Sequence, residues 1–181
     1  VRVLGKCGGS DTDVGDAIRW AAGLPVPGTT PNATPARVLN LSLGGPGNCA
    51  AYVQDAINAA TAVGAIVVVA AGNDNSDLDQ HPVSPANCAN VVNVAAVDHL
   101  AYRSSFSNFG STVTIAAAGG ENPAFYANNG FVQVLSLGNS SLQAPNPGGY
   151  TYAYKVGTSM AAPHVAGTVS LMLSVNPSLT W

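Results

Sequence analysis

Charge is what this chain has least of. Among 181 residues there are 6 Lys and Arg and 9 Asp and Glu, so charged side chains make up 8%, about a third of the usual globular share. The basic residues form no stripe, which argues against a nucleic-acid surface. Cysteine is scarce as well: Cys7, Cys49 and Cys88 form no CxxC pair and no Cys/His spacing of a zinc site. Nothing approaches about 18 uninterrupted apolar residues, so no membrane-spanning helix is expected. There is no initiator Met and no leader pattern. The sequence opens on Val1-Arg2-Val3-Leu4, already inside an apolar run, and is expected to be part of a longer protein. What is present is a 47% apolar content, enough to offset chain entropy and exclude extensive disorder. Sixteen Asn, with many Ser and Thr, supply the polar surface. An odd cysteine count fits one disulfide plus an orphan, or three buried thiols. The low charge favours an exported protein with a disulfide.

Apolar runs alternate with helical patterns. A helix is expected from about Asp13 to Ala22, with Asp11 or Asp13 as its cap. Arg37 to Leu43 reads as a strand broken by Gly44-Gly45. From Ala51 to Val63, Val53, Ala56, Ile57 and Ala60 recur three and four apart, as on one helix face. Gly64 to Gly72 is β-branched and apolar on both parities, so its strand wants burial on both faces, as in a parallel sheet covered by helices. Val91 to Val97 repeats that signal. Between Ala116 and Tyr150 the order loosens, with a short strand-like Phe131 to Leu137 and a surface loop from Asn139 to Gly149. A last helix runs to about Val175, with Val165, Val169 and Met172 as its apolar stripe, before Asn176-Pro177. This rhythm predicts a three-layer α/β domain with a mostly parallel sheet flanked by helices.

The sharpest local feature is Gly157-Thr158-Ser159-Met160-Ala161-Ala162-Pro163-His164. A Ser at the mouth of a helix meets free N–H groups and the positive end of the helix dipole, where developing negative charge is favoured. A plain capping role for Thr158 or Ser159 would explain the tripeptide alone. Chain order tests the catalytic alternatives. An α/β-hydrolase elbow needs a second Gly where Ala161 stands, and an acid after the Ser, yet none follows Glu121. A trypsin-like order would suit His81, Asp98 and Ser159, but that arrangement belongs to a β-barrel.

The remaining order, Asp, His, Ser on an α/β sheet, is that of subtilisin. Gly157 to Gly167, GTSMAAPHVAG, resembles the nucleophile motif of the subtilisin-like serine proteases, the subtilases. Val1 to Gly5 resembles their substrate-edge strand, Asn40-Leu41-Ser42-Leu43-Gly44-Gly45 their specificity-pocket segment, and Ala70-Ala71-Gly72-Asn73 their oxyanion segment. The resemblance implies Ser159 as nucleophile, with the Asn73 side-chain amide and the Ser159 N–H holding the oxyanion. It implies Ser42, Leu43 and Gly44 as one pocket wall and Ala70, Ala71 and Gly72 as the other. Gly8 and Gly9 are expected to pair a peptide as an added strand. His164 is expected to be a structural core residue rather than the base. Pro163 suggests a helix that becomes regular only after it.

The family's D-[ST]-G and H-G-T motifs, which carry its catalytic Asp and His, do not occur in this sequence. Residues 1–181 are therefore expected to be a partial catalytic domain whose base and orienting carboxylate lie in a missing N-terminal part. His81 and His99 are expected to face solvent. The resemblance further implies a secreted, extracellular endopeptidase acting on proteins or peptides, with no nucleic-acid or membrane partner, and a preference for large or apolar P1 residues. The alternative is a non-catalytic subtilase-like scaffold that binds peptides. A Cys49–Cys88 bridge is implied, with Cys7 paired in the missing part. Calcium is common in the family, so Asp11, Asp13 and Asp16 are a candidate Ca²⁺ cluster, with Asp74, Asp77 and Asp79 a second. Thr114 stands where many relatives carry an Asp beside a cation.

Overall fold

Five consecutive apolar residues organise the fold. The computed structural model describes residues 1–5, 7–122, 132–141 and 146–180. Within it β3 (Ile66–Ala70) is buried at every position. Strand geometry sends alternate side chains to opposite faces, and here both faces meet a core. Val67 and Val69 join one apolar cluster, and Ile66, Val68 and Ala70 the other. Burying each Val or Ile is worth about 1.5–3 kcal/mol, so this strand anchors both outer layers to the sheet.

Four strands make that sheet, in the order β1 (Val38–Leu41), β3, β5 (Val92–Val97) and β6 (Ile115–Ala118), all parallel. On one face lie α1 (Asp11–Ala21) and α2 (Ala51–Ala62). The buried residues of α2 are Val53, Ala56, Ile57 and Ala60, as the periodicity predicts. Gly15 of α1 lets the two helices touch: a β-carbon there would lie 2.6 Å from the Tyr52 ring. On the other face lies α3 (Thr158–Val175), packed through Ala161, Ala162, Val165, Ala166 and Leu173. Its stripe therefore passes through Leu173; Met172 is about half exposed. These layers are the expected three-layer α/β architecture.

Three local expectations are corrected, and one element had no expectation at all. The cap of α1 is Ser10, not Asp11 or Asp13. Its side chain accepts from Asp13 N while the Asp13 carboxylate returns to Ser10, a capping box that starts the helix two residues earlier. The last helix is continuous from Thr158 and contains Pro163. The stretch expected to be loose contains β6, β7 (Val134–Asn139) and β8 (Tyr150–Lys155), the last two forming an antiparallel hairpin. Residues 123–131 and 142–145, including the expected strand start at Phe131 and part of the expected loop, lie outside the described residues. Finally, two two-residue strands, β2 (Gly45–Pro46) and β4 (Val83–Ser84), pair as a small ribbon beyond the sheet.

Candidate functional site

Parallel strands deliver their following loops to the same edge of the sheet, and open α/β sheets place sites there. β1 and β3 pair with Leu41 opposite Val69, so Ser42 leaves the sheet beside Ala70, the last residue of β3. The start of α3 meets them. Ser42 Oγ donates to the Ser159 carbonyl at 2.9 Å, and Ser159 Oγ lies 3.4 Å from the Ser42 carbonyl. Pro163 explains the first bond. It is the residue four after Ser159, so the Ser159 carbonyl has no helical N–H to accept from. Ser42 takes that place.

Thr158 ties α3 to the turn after β3. Its N–H and hydroxyl both donate to Asn73 Oδ1, at 2.8 and 3.0 Å, and its hydroxyl oxygen accepts from Gly72 N–H at 3.1 Å. Two donors on Oδ1 fix which way the amide points, leaving Nδ2 as the outward donor. Gly157, with φ of 145°, keeps the space beside it open. A β-carbon at Gly157 would lie 3.6 Å from Ser159 N and 3.7 Å from Asn73 Nδ2. Both donors therefore border one small volume.

That volume opens into a cavity of about 450 Å³ lined by Leu43, Gly44, Ala70, Gly72, Asn73, Thr158 and Ser159. Ser42 adjoins it through its bonds to Ser159, and Ala71 is fully buried behind the wall. Gly45, the end of the expected pocket segment, lines the cavity too, while sequence reasoning missed three lining residues: Pro46 of β2, Val83 of β4, and Asp74. The short ribbon carries no periodic pattern, so only the folded chain reveals the first two. Asp74 had been placed in an acidic cluster. The Cys49–Cys88 bridge, with Cα atoms 5.1 Å apart, closes just beyond the ribbon. Cys7 is free and exposed.

Other expected site residues lie elsewhere. Gly8 and Gly9 are not at the cavity, and Gly8 already exchanges N–H···O bonds with Gly5, at 2.9 and 3.3 Å. A β-carbon at Gly9 would meet the Val3 carbonyl at 2.1 Å, so that glycine serves a close backbone approach. His164 is exposed rather than in the core, with Nδ1 2.8 Å from the Met160 carbonyl. His81 and His99 are exposed, and none of the three histidines lines the cavity.

Carboxylates of both acidic clusters already have hydrogen-bond partners. Asp13 is engaged by Ser10, and Asp16 accepts the Tyr52 hydroxyl, a bond that raises the Tyr52 pKa by favouring the neutral phenol. Asp79 accepts from the Ser111 hydroxyl and N–H at 2.6 and 2.9 Å, which hold its carboxyl below the usual value. Thr114 Oγ1 accepts from Asn93 N–H. Among the described residues, no group of three or more His, Cys, Asp or Glu side chains is placed to hold a metal. Nor is any described helix long and apolar enough to cross a membrane.

Comparisons with known proteins agree with this geometry. An extracellular protease of Xanthomonas campestris pv. campestris is 48% identical over 178 residues, which is 98% of this chain and 28% of that protein. An extracellular basic protease of Dichelobacter nodosus is 40% identical over 99% of this chain and 27% of its own length. A solved protease of Pseudoalteromonas arctica superposes with a TM-score of 0.90 at 45% identity, covering 99% of this chain and 51% of that one. A cold-adapted subtilisin-like serine proteinase superposes at 0.73 with 35% identity, over 99% and 54%. The chain thus spans a little over a quarter of the first two relatives and about half of the two solved chains. The model of the Subtilase family matches residues 1–181, and with that match the chain belongs to the subtilisin-like serine proteases.

Proposed function

We propose that the protein carrying this chain is a secreted serine endopeptidase that cleaves proteins through an acyl-enzyme at Ser159. Residues 1–181 are, on this reading, one part of its catalytic domain. The observation that carries the proposal is the shared volume between Ser159 N–H and Asn73 Nδ2 at the mouth of the cavity. An extended substrate would seat a large or apolar P1 side chain between Leu43–Gly44 and Ala70–Gly72, where small residues leave room. Ser159 Oγ would attack the scissile carbonyl carbon, and the carbonyl oxygen would gain its charge between the two donors. Loss of one such donor costs about 10²–10³ in rate; the worked example of that magnitude is a subtilisin Asn, the family's own. On this reading the proton leaving Ser159 goes to a base outside these 181 residues: among the described residues the Ser159 hydroxyl donates to the Ser42 carbonyl, and an unassisted Ser is a poor nucleophile. The extracellular relatives and the low charge support secretion. No calcium is assigned to Asp11, Asp13 and Asp16.

A fluorophosphonate probe on the full-length protein tests the reading. Covalent labelling at Ser159, abolished by Ser159→Ala, is expected. An unlabelled, folded full-length protein would reject the protease assignment and leave a peptide-binding scaffold.

A further inference from the structure

Asn73 is exposed, on a turn, and anchored by Thr158 only through its amide oxygen. Its backbone must be held by something else. Residues 71–76 carry the positive φ values at Gly72 (104°) and Asn75 (50°), so Asn73 stands between two left-handed positions. Such a turn keeps one shape only where its polar groups are bonded from outside.

Three of the bonds that hold it come from one side chain. Asn108 is fully buried. Its Oδ1 accepts from Asp74 N–H at 2.9 Å and from Ser76 N–H at 3.0 Å. Its Nδ2 donates to the Ala71 carbonyl at 3.0 Å, and its own N–H donates to the Gly72 carbonyl at 3.1 Å. These four bonds bracket Asn73 on both sides without touching it. The packing is also tight: a β-carbon at Gly72 would lie 2.3 Å from Asn108 Nδ2. Asn108 does not line the cavity.

We infer that Asn108 is a positioning residue for the reaction, setting the place of the Asn73 amide by clamping the backbone on either side of it. The inference rests on the oxyanion role proposed for Asn73 and assigns the control of that donor to a buried side chain 35 residues away in sequence. Displacing a catalytic donor by about 1 Å can cost up to about 10²-fold in rate without any change in what the substrate touches.

The test is a double-mutant cycle in the full-length enzyme, read on a chromogenic peptide substrate. Asn108→Asp is the chosen variant. It keeps the size and the acceptor for Asp74 and Ser76, and sets an oxygen against the Ala71 carbonyl in place of a donor. Expected is a fall in kcat of about tenfold or more with KM within about threefold, the pattern of an interaction used in the transition state. In an Asn73→Ala background the same substitution should cost less than about twofold, because the group it positions is gone. An equal loss in both backgrounds overturns the inference, as does an unchanged kcat in Asn108→Asp. If Asn108→Asp does not fold, Asn108→Ser, which retains an acceptor, is read by the same cycle. Asn73→Ala alone tests the underlying reading separately: if it leaves kcat intact, the oxyanion assignment fails whatever Asn108 does.

Discussion

Replacing Cys49 and Cys88 by Ser tests how the cavity wall is held. The bridge joins residues 39 apart in sequence, and closing a loop of that length removes about 13 cal/mol/K from the unfolded chain, or about 4 kcal/mol at 25 °C. The folded side has little with which to compensate. The ribbon of β2 and β4 has two residue pairs, Gly45 with Ser84 and Pro46 with Val83. The next helix, α2, has Ala50 as its N-cap, which provides no side-chain cap. For a chain of this size about 4 kcal/mol corresponds to a fall in melting temperature of about 8–16 °C. Calorimetry of the wild type and of Cys49→Ser/Cys88→Ser would measure it. Because Gly45, Pro46 and Val83 line the cavity, KM for substrates with a large P1 residue should rise more than kcat falls. A melting temperature within about 2 °C of the wild type would refute the loop-closure argument. Unchanged KM would show that the ribbon holds its shape unaided.

Three further outcomes are expected. Gly157→Ala places a methyl group between Ser159 N and Asn73 Nδ2. It should lower kcat by about 10² or more, since both proposed oxyanion donors are obstructed, while a product peptide still binds; retained turnover would move the oxyanion elsewhere. Ser42→Ala leaves the Ser159 carbonyl without its 2.9 Å donor, at a cost of about 1–3 kcal/mol in urea unfolding. Adding Pro163→Ala, which restores a helical N–H, should recover part of it, and no recovery would show that Pro163 is not the reason for the bond. Asp79 has its folded pKa below the ordinary value because Ser111 donates to the ionised form. Its contribution is therefore present above the unfolded pKa and lost as pH falls through the folded one. Protection of the Ser111 amide against hydrogen exchange should persist through the ordinary carboxylate range and drop only at more acid pH, and Asp79→Asn should abolish that step.

What was legible in the sequence was whatever a local period or a contiguous motif encodes. α2 could be read residue by residue, because Val53, Ala56, Ile57 and Ala60 record the helical period that burial imposes. β3 was legible because apolar residues on both parities have one economical explanation, a central parallel strand. β6 was not: Ile115-Ala116-Ala117-Ala118 sits at the sheet edge, largely exposed, and carries no alternation. β8 was legible in principle, since Tyr150, Tyr152 and Tyr154 alternate, but the flanking Gly and Pro residues read more strongly as loop. Ser10 was passed over because three Asp residues follow it closely, although Ser-x-x-Asp is itself a capping pattern. In the site, Ser159 and Asn73 were found through motifs. Asn108 could not be, because its partners are backbone groups 32 to 37 positions away, and no sequence letter distinguishes a bonded peptide N–H from a free one.

With so few charges, the site is held together by neutral ties. Ser42, Asn73 and Ser159 are exposed or half-buried and belong to three separate segments. Parallel pairing of β1 and β3 brings the first two to one edge, with Leu41 opposite Val69. Thr158 and the Ser42–Ser159 bond then attach the helix to both strand ends. Every one of these ties uses a neutral donor and acceptor. Neutral hydrogen bonds contribute little net stability each, about 0.5–1.5 kcal/mol, but leaving one partner unpaired costs more. The arrangement is therefore held less by the strength of any bond than by the penalty for breaking it. Pro163 sharpens this, since the Ser159 carbonyl has no helical alternative to Ser42. A helix whose first turn, carrying the proposed nucleophile, cannot satisfy itself is obliged to dock against the strand end that borders the cavity.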